Sequence, residues 1–359
     1  KDCEIPDLKL FYPIQVGTAI SERYLDDMLH DDTGDNISGK NKSYCELTAQ
    51  YWAWKNADAD YYGFFHYRRY FSFSDERFPA NGEIIEAYND RETLKKYCLN
   101  DETIAKTVEK YDIVIPVPGG FEDKKLTLEK QYALSPVQHE SDLQFVMNVL
   151  REEYPAMYPY AVRYLRRNKG YFCNMFIMKK DIFAKYSEWL FHILERHERA
   201  VDISDYSSQA YRVHGFLAER LCGIYLDYLE KTTDLKILKL QRIFFENVDK
   251  SEPILPAFCK NNVPVVFAAN NFYAPYLSAL LQSIKEHSSK TNNYDLLILN
   301  KDISLDNQKI LRQQIAAENF SLRFIDVKKQ MQNYTKLPLR GHFKEETYFR
   351  LLLPDILPD

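Results

Sequence analysis

Apolar runs of strand length alternate with helical patterns along the whole chain, and this alternation restricts the fold more than any other feature. Strand-like runs fall at 8–16, 61–67, 112–117 and 172–179, and helical spacing fills 43–56, 92–110, 140–152, 181–198 and 214–230. That order predicts an α/β domain. Tyr111–Pro118, closed by its prolines and Gly119-Gly120, reads as a buried strand. A second series follows: strand 263–269, a helix through Tyr276, Leu277, Leu280, Leu281 and Ile284, strand 295–299, helix 305–318 and strand 322–327. This β-α-β-α-β order predicts parallel pairing with right-handed crossovers. Pro253, Pro256 and Pro264 mark a linker between the two series. The expected organisation is a domain over 1–250, a linker over 251–262 and a second unit over 263–359. The second unit is short for its pattern and is expected to continue beyond this chain.

Composition narrows the class. A hydrophobic fraction of 45% over 359 residues supports packed cores. A net charge of −5 without a long basic run argues against nucleic acid as the main partner. Cys3, Cys45, Cys98, Cys173, Cys222 and Cys259 show neither C-x-x-C nor zinc-ligand spacing, and read as reduced thiols of a cytoplasmic protein. No apolar run reaches membrane-spanning length and no signal peptide is visible.

The richest chemistry lies in Tyr61–Phe71, where an apolar run ends in His66-Tyr67-Arg68-Arg69-Tyr70. Read as a buried strand, it puts His66, Arg68 and Arg69 at the strand's C-terminal end, where open α/β sheets bind ligands. Arginine forks match phosphate oxygens, so the cluster suits a nucleotide diphosphate. Solvated arginines at a strand end are the plainer alternative. Asp35 and Asn36, in the loop Asp32–Asn36, would hold sugar hydroxyls or a cation, or simply bond their own turn. Glu46 stands in a first helical turn, where dipole complementarity alone explains a carboxylate. Glu219, inside an apolar helix start, is the preferred general base, with pairing to Arg220 as the structural alternative and His214 as a second candidate. His139 and Asp142 share a helix face, which fits acceptor binding or a surface pair. Asp58-Ala59-Asp60 has the letters of a metal-binding Asp-x-Asp but precedes its strand, so capping and solvation explain it better. No metal site is expected in the first domain.

Two resemblances sharpen this reading. Phe267–Tyr273, Tyr276-Leu277, Ser283-Ile284 and Thr347–Leu351 resemble family 8 glycosyltransferases, retaining enzymes related to glycogenin and the lipopolysaccharide galactosyltransferases. The resemblance implies nucleotide-binding roles for Ala269, Asn270, Tyr273 and Arg350. Asn270 stands where aspartate is more usual. The family's metal-binding Asp-x-Asp would follow the last residues here, so Mn2+ or Mg2+ is implied only for a complete second domain.

Residues 8–247 resemble a bacterial domain family of unknown function that recurs in capsular, exopolysaccharide and adhesin-glycosylation clusters. The likeness rests on Asp32–Ser38, Asn41, Cys45–Thr48, Tyr51–Asn56, His66–Phe71, His139, Asp142, Asn174–Met178 and Gly215–Leu221. It implies a GT-A-like glycosyltransferase fold, followed by the first half of a second GT-A domain. Donor-binding residues would be Asp35, Asn36, His66, Arg68, Arg69 and Asn174. Catalytic residues would be Glu219 and His66, and acceptor-binding residues His139 and Asp142. The implied reaction moves a hexose, with galactose or galactofuranose as candidates, from a UDP-sugar to a glycan, lipid-linked oligosaccharide or glycoprotein acceptor. It would run in the cytoplasm or at the inner membrane face. A catalytically inactive glycan-binding or scaffolding module is the alternative.

Overall fold

The computed structural model describes residues 3–79, 83–121, 123, 125–248, 254–331 and 344–357. The start of the expected linker and the chain's last two residues lie outside these. The chain divides into two compact units, Lys1–Asn89 with Thr93–Asp249, and Asp90–Glu92 with Lys250–Asp359.

The first unit is α/β with mixed pairing. Strands β1 (Ile14–Gln15) and β2 (Leu29–His30) form a short parallel pair. Strands β3 (Tyr61–Phe64), β4 (Arg69–Phe71), β5 (Glu83–Tyr88), β6 (Ile113–Pro116), β7 (Gly119–Gly120), β8 (Lys169–Gly170), β9 (Phe176–Lys179), β10 (Ile237–Leu240) and β11 (Arg242–Asn247) complete it. The main sheet has the order β10-β6-β9-β3, with β9 antiparallel to both neighbours. A second sheet has the order β4-β11-β5. The expected buried strand 61–67 is therefore a short edge strand, β3. Beyond Phe64 the chain turns through an isolated His66–Arg69 bridge and enters the second sheet as β4. The cationic cluster thus sits in the crossing between two sheets.

Helices α1 (Asn41–Tyr44), α2 (Leu47–Asn56), α3 (Arg91–Lys96), α4 (Asp101–Val108), α5 (Leu128–Leu134), α6 (Glu140–Glu153), α7 (Tyr158–Leu165), α8 (Lys180–Ala200) and α9 (Val213–Thr232) accompany these strands. Two expected helices are broken. The 43–56 pattern splits at Cys45, and 92–110 splits before Asn100, whose side chain caps α4 through the Thr103 N–H at 2.9 Å. Phe183, Tyr186, Leu190, Ile193, Leu194 and His197 keep helical spacing on the buried face of α8. All but His197 join Phe176, Met178, Leu217 and Leu221 in the main core. Each large apolar side chain so buried contributes roughly 1.5–3 kcal/mol.

The second unit follows its pattern closely. Strands β12 (Asn262–Ala268), β13 (Asn293–Asn300) and β14 (Phe320–Asp326) pair in parallel, with β13 central. Helices α10 (Ala274–His287) and α11 (Leu305–Ile315) connect them. Leu296, Leu297, Ile298 and Leu299 are all buried, as a central parallel strand requires.

Candidate functional site

Four stretches of the first unit converge on one point. Cys45 separates α1 from α2 with φ 53° and ψ −130°, a conformation that side chains strongly disfavour. Cys173 and Asn174, just before β9, are consecutive residues with φ 72° and 46°. Each such residue costs on the order of 1–3 kcal/mol, and such strain concentrates at functional sites. The His66 turn after β3 supplies the third side, and Gly215, in the first turn of α9, the fourth. A Cβ there would lie 3.2 Å from Cys45 Sγ, so glycine permits the close approach of α9 to the Cys45 turn.

This backbone carries Glu46, His66 and Glu219. Glu46 occupies the N-cap position of α2 but makes no cap bond; its Oε1 accepts the Asn174 Nδ2–H at 2.8 Å. His66 donates Nε2–H to the Cys173 carbonyl at 2.8 Å, which leaves Nδ1 as the acceptor of a neutral ring. His66 Nε2 also lies 3.9 Å from Glu46 Oε1. Glu219 accepts the Cys173 N–H at 2.8 Å, and its other oxygen lies 3.7 Å from Arg220 Nη1. Burial raises the Glu219 pKa above the usual carboxylate range, partly offset by Arg220 and the Cys173 N–H. Arg212 donates Nε–H to Cys45 Sγ at 3.3 Å, yet burial still raises the Cys45 thiol pKa.

Two cavities share Glu46 and His66. A small one of about 60 Å³ also touches Cys45, Arg212, Phe216 and Glu219. The other, about 630 Å³, extends past Asn174, Phe64, Tyr67 and the β1 end at Gln15-Val16. Asn174 is buried and its Oδ1 has no hydrogen-bond partner. The site thus offers two carboxylates, an imidazole and one unpaired carbonyl oxygen beside a space of small-ligand size. Among the described residues no group of three or more His, Cys, Asp or Glu side chains could hold a metal ion.

Two family models match the chain. A family model described as a domain of unknown function (DUF4422) matches residues 1–231. The chain belongs to the DUF4422 family. A second model, glycosyl transferase family 8, matches residues 264–359. Both resemblances read in the sequence are therefore confirmed. No curated protein matches the chain. A solved structure titled "WbbM bifunctional glycosytransferase apo structure" is similar over 99% of this chain, with 37% identity and a TM-score of 0.66. The chain spans 63% of that structure's length.

Within the DUF4422 unit, the residues singled out in the sequence separate. His66, Asn174 and Glu219 come together. Arg68 and Arg69 line neither cavity. Arg69 is paired with Glu83 at 2.8 Å, a carboxylate that Arg242 shares at 2.5 Å, and both Arg68 and Arg69 lie over the Phe244 ring at 4.6 Å. Arg68 Nε is buried without a partner. Asp35 and Asn36 are bonded within their own neighbourhood: Asp35 to Tyr51 and Asn56, and Asn36 to Asp32, Gly34 and Ser38. The expectation that Asp142 faces an acceptor is corrected. Its side chain is 1% exposed and accepts from His197 Nε2 at 3.1 Å and Tyr206 Oη at 2.9 Å. His139 stacks on Tyr206. Asp58 is exposed and paired with Lys180.

Sequence reasoning undervalued Glu46, because a carboxylate in a first helical turn has an adequate explanation in the helix dipole. Arg212 carried no signal of a shared site. The one available hint was that Cys45, Glu46, Asn174 and Gly215 belong to the motifs on which the resemblance rests.

In the family 8 segment, Ala269 is buried, and its N–H donates to the Leu299 carbonyl at 3.1 Å. Asn270 Oδ1 caps the following turn through the Tyr273 N–H at 3.3 Å, and its Nδ2 donates to Glu346 at 2.8 Å. Tyr273 is exposed at the start of α10, and Arg350 is exposed with Nε on the Thr347 carbonyl.

Proposed function

We propose that the DUF4422 unit is a glycosyltransferase of GT-A-like fold that moves a hexose from a UDP-sugar to a glycan acceptor. Galactose and galactofuranose are the candidate sugars, and bacterial surface polysaccharide or a glycosylated adhesin is the setting. The observation that carries the reading is the convergence of Glu46, His66 and Glu219 beside the strained backbone of Cys45, Cys173 and Asn174, with Glu46 and His66 on the wall shared by the two cavities and Glu219 on the small one. Sugar transfer needs a base for the acceptor hydroxyl and polar groups that hold the donor sugar. Glu219 takes the proton. Burial has raised its basicity, and its carboxylate borders the small cavity, where an acceptor hydroxyl would enter. Glu46 and Asn174 Oδ1 receive sugar hydroxyls, and His66 offers Nδ1 to the same ligand. The nucleotide would extend along the larger cavity towards Gln15 and Tyr67. Arg68 supplies positive charge near its rim, whereas Arg69 is committed to Glu83.

The domain boundaries proposed are 1–250 for this unit, 251–262 for the linker and 263–359 for part of a family 8 domain. Ala269, Asn270, Tyr273 and Arg350 would contact a nucleotide there, and Mn2+ or Mg2+ would serve only the complete domain. A cytoplasmic setting follows from the UDP-sugar donor, with a lipid-linked acceptor at the inner membrane face. Among the described residues no helix is long and apolar enough to cross a membrane.

A screen of UDP-sugars that follows UDP release tests the reading. At least one donor should be turned over or slowly hydrolysed, and Glu219→Gln should abolish this while donor binding persists. Binding of UDP-sugars without any turnover would favour the glycan-binding or scaffolding alternative.

A further inference from the structure

A chain of polar side chains crosses the helical layer of the first unit and has no part in the chemistry described above. Asp142 on α6 accepts from His197 Nε2 on α8 at 3.1 Å. His197 Nδ1 meets His214 Nε2 on α9 at 3.2 Å. His214 Nδ1 meets Ser43 Oγ on α1. All four residues are buried: Asp142 and His214 1% exposed, His197 0% and Ser43 7%. With both rings neutral the links run in one direction. The Asp142 carboxylate fixes the proton on His197 Nε2, His214 Nε2–H donates to His197 Nδ1, and the Ser43 hydroxyl donates to His214 Nδ1.

The chain ends beside the candidate site. Ser43 lies two residues before the strained Cys45 and three before Glu46. His214 directly precedes Gly215, whose Cα abuts Cys45 and whose carbonyl accepts from Asn174 Nδ2 at 3.4 Å. Tyr44 stacks on the His214 ring with centroids 4.3 Å apart. Ordinary packing of four helices would be served by apolar side chains, because a buried polar chain is costly unless its members are bonded; here Asp142 Oδ1, both imidazoles and the Ser43 hydroxyl are bonded, and Asp142 Oδ2 is buried without a partner. The arrangement instead fixes the rotation of α1 against α9, the two elements whose contact holds Cys45 and Glu46 in place.

We propose that Ser43, His214, His197 and Asp142 form a positioning relay that holds the Cys45–Glu46 turn, and so orients the Glu46 carboxylate. None of the four touches substrate in this account. The inference rests on the proposed role of Glu46, so its test includes a readout that needs no activity.

The decisive variant is Ser43→Ala in the full chain, with Ser43→Thr as the hydroxyl-retaining control. Displacing an orienting group by a fraction of an ångström lowers turnover ~10- to 100-fold. The expected result is such a fall in kcat for Ser43→Ala, with KM for the donor within about twofold, and recovery in Ser43→Thr. Asp142→Asn should lower kcat too, and the double variant should show less than the product of the two effects, as members of one chain do. An unchanged kcat in Ser43→Ala, or multiplicative effects in the double variant, would overturn the relay. If the wild type turns over no UDP-sugar, the function proposed above fails, and hydrogen exchange decides the relay alone. Faster exchange at residues 45–48 in Ser43→Ala, with the interior of α8 unchanged, supports it; unchanged protection at 45–48 overturns it. Should Ser43→Ala not fold, Tyr206→Phe removes one of the two bonds on Asp142 from a half-exposed position. Loss of exchange protection at 45–48 in that variant supports the relay, and full protection refutes it.

Discussion

His66 and Glu219 hold the same residue from opposite sides: His66 donates to the Cys173 carbonyl and Glu219 accepts the Cys173 N–H, each at 2.8 Å. Neither group can shift without releasing one end of a residue that sits at φ 72°. Acid–base chemistry and backbone strain are therefore coupled at this point. Glu219→Gln keeps the shape and one acceptor oxygen. Turnover should fall ~10²–10⁴-fold while UDP affinity stays near wild type. Steady-state kinetics with calorimetric UDP titration checks this, and a near-normal rate would remove Glu219 as the base.

The two arginines should part company. Arg69 shares Glu83 with Arg242, so Arg69→Ala leaves a largely buried carboxylate short of one charged partner and should cost about 1.5–3 kcal/mol. Arg68 makes no ion pair with Glu83, so Arg68→Ala should melt nearer to wild type and show its effect in UDP binding. Denaturant unfolding beside UDP titration separates the two. Equal destabilisation would show that Arg68 is structural as well.

Acid should destabilise the first unit through His214. Burial, reinforced by His197, lowers its pKa from 6.5 to about 3. The folded state therefore keeps the ring neutral while the unfolded chain takes up a proton below pH 6.5. Stability from this group is complete above that pH and is lost as pH falls towards 3, by up to about 1.4 kcal/mol per pH unit. Urea unfolding between pH 7 and 4 should show that slope, and His214→Gln should lessen it. An identical slope in the variant would assign the acid sensitivity elsewhere.

Gly215→Ala should be damaging despite its small size. The new Cβ would press on Cys45 Sγ at 3.2 Å and Cys45 Cβ at 3.4 Å. Relief requires α9 or the Cys45 turn to move, at about 1–3 kcal/mol. Activity should fall with it, because the same movement displaces Glu46. A stable, fully active variant would show that the turn tolerates the shift.

Chelation should spare donor binding by the first unit. His66, Glu46, Glu219 and Asn174 supply the polar contacts proposed for the ligand, and no step needs a cation. UDP titration in excess EDTA should match titration without it. Loss of binding that manganese restores would reveal a metal-dependent site.

How much of this was legible in the sequence depends on range. Helix α8 and strands β6, β9, β12, β13 and β14 were readable because their burial is periodic and local. The β4-β11-β5 sheet was not, since β4 pairs with a strand that lies far along the chain and its three residues carry no pattern of their own. The break at Cys45 was hidden because an ordinary cysteine gives no turn signal; the positive-φ turn there lies against Gly215 of α9, far along the chain. Glu219 stood out as a carboxylate in apolar surroundings. Glu46 did not, because its partner Asn174 is distant in sequence. Asp142 was misread for the converse reason: helical spacing gives a shared face but does not tell whether that face meets solvent or another helix.

The split between α1 and α2 sets the rotational phase of Glu46. An unbroken helix over 41–56 would advance by about 100° per residue and tie the direction of Glu46 to the axis of α1. The reversal at Cys45 lets α2 start on an axis of its own, and Glu46, with helical dihedrals of φ −61° and ψ −16°, keeps the phase of α2. The aim of the carboxylate therefore travels with the core face of α2, Leu47, Thr48 and Gln50, and is completed by the Asn174 amide.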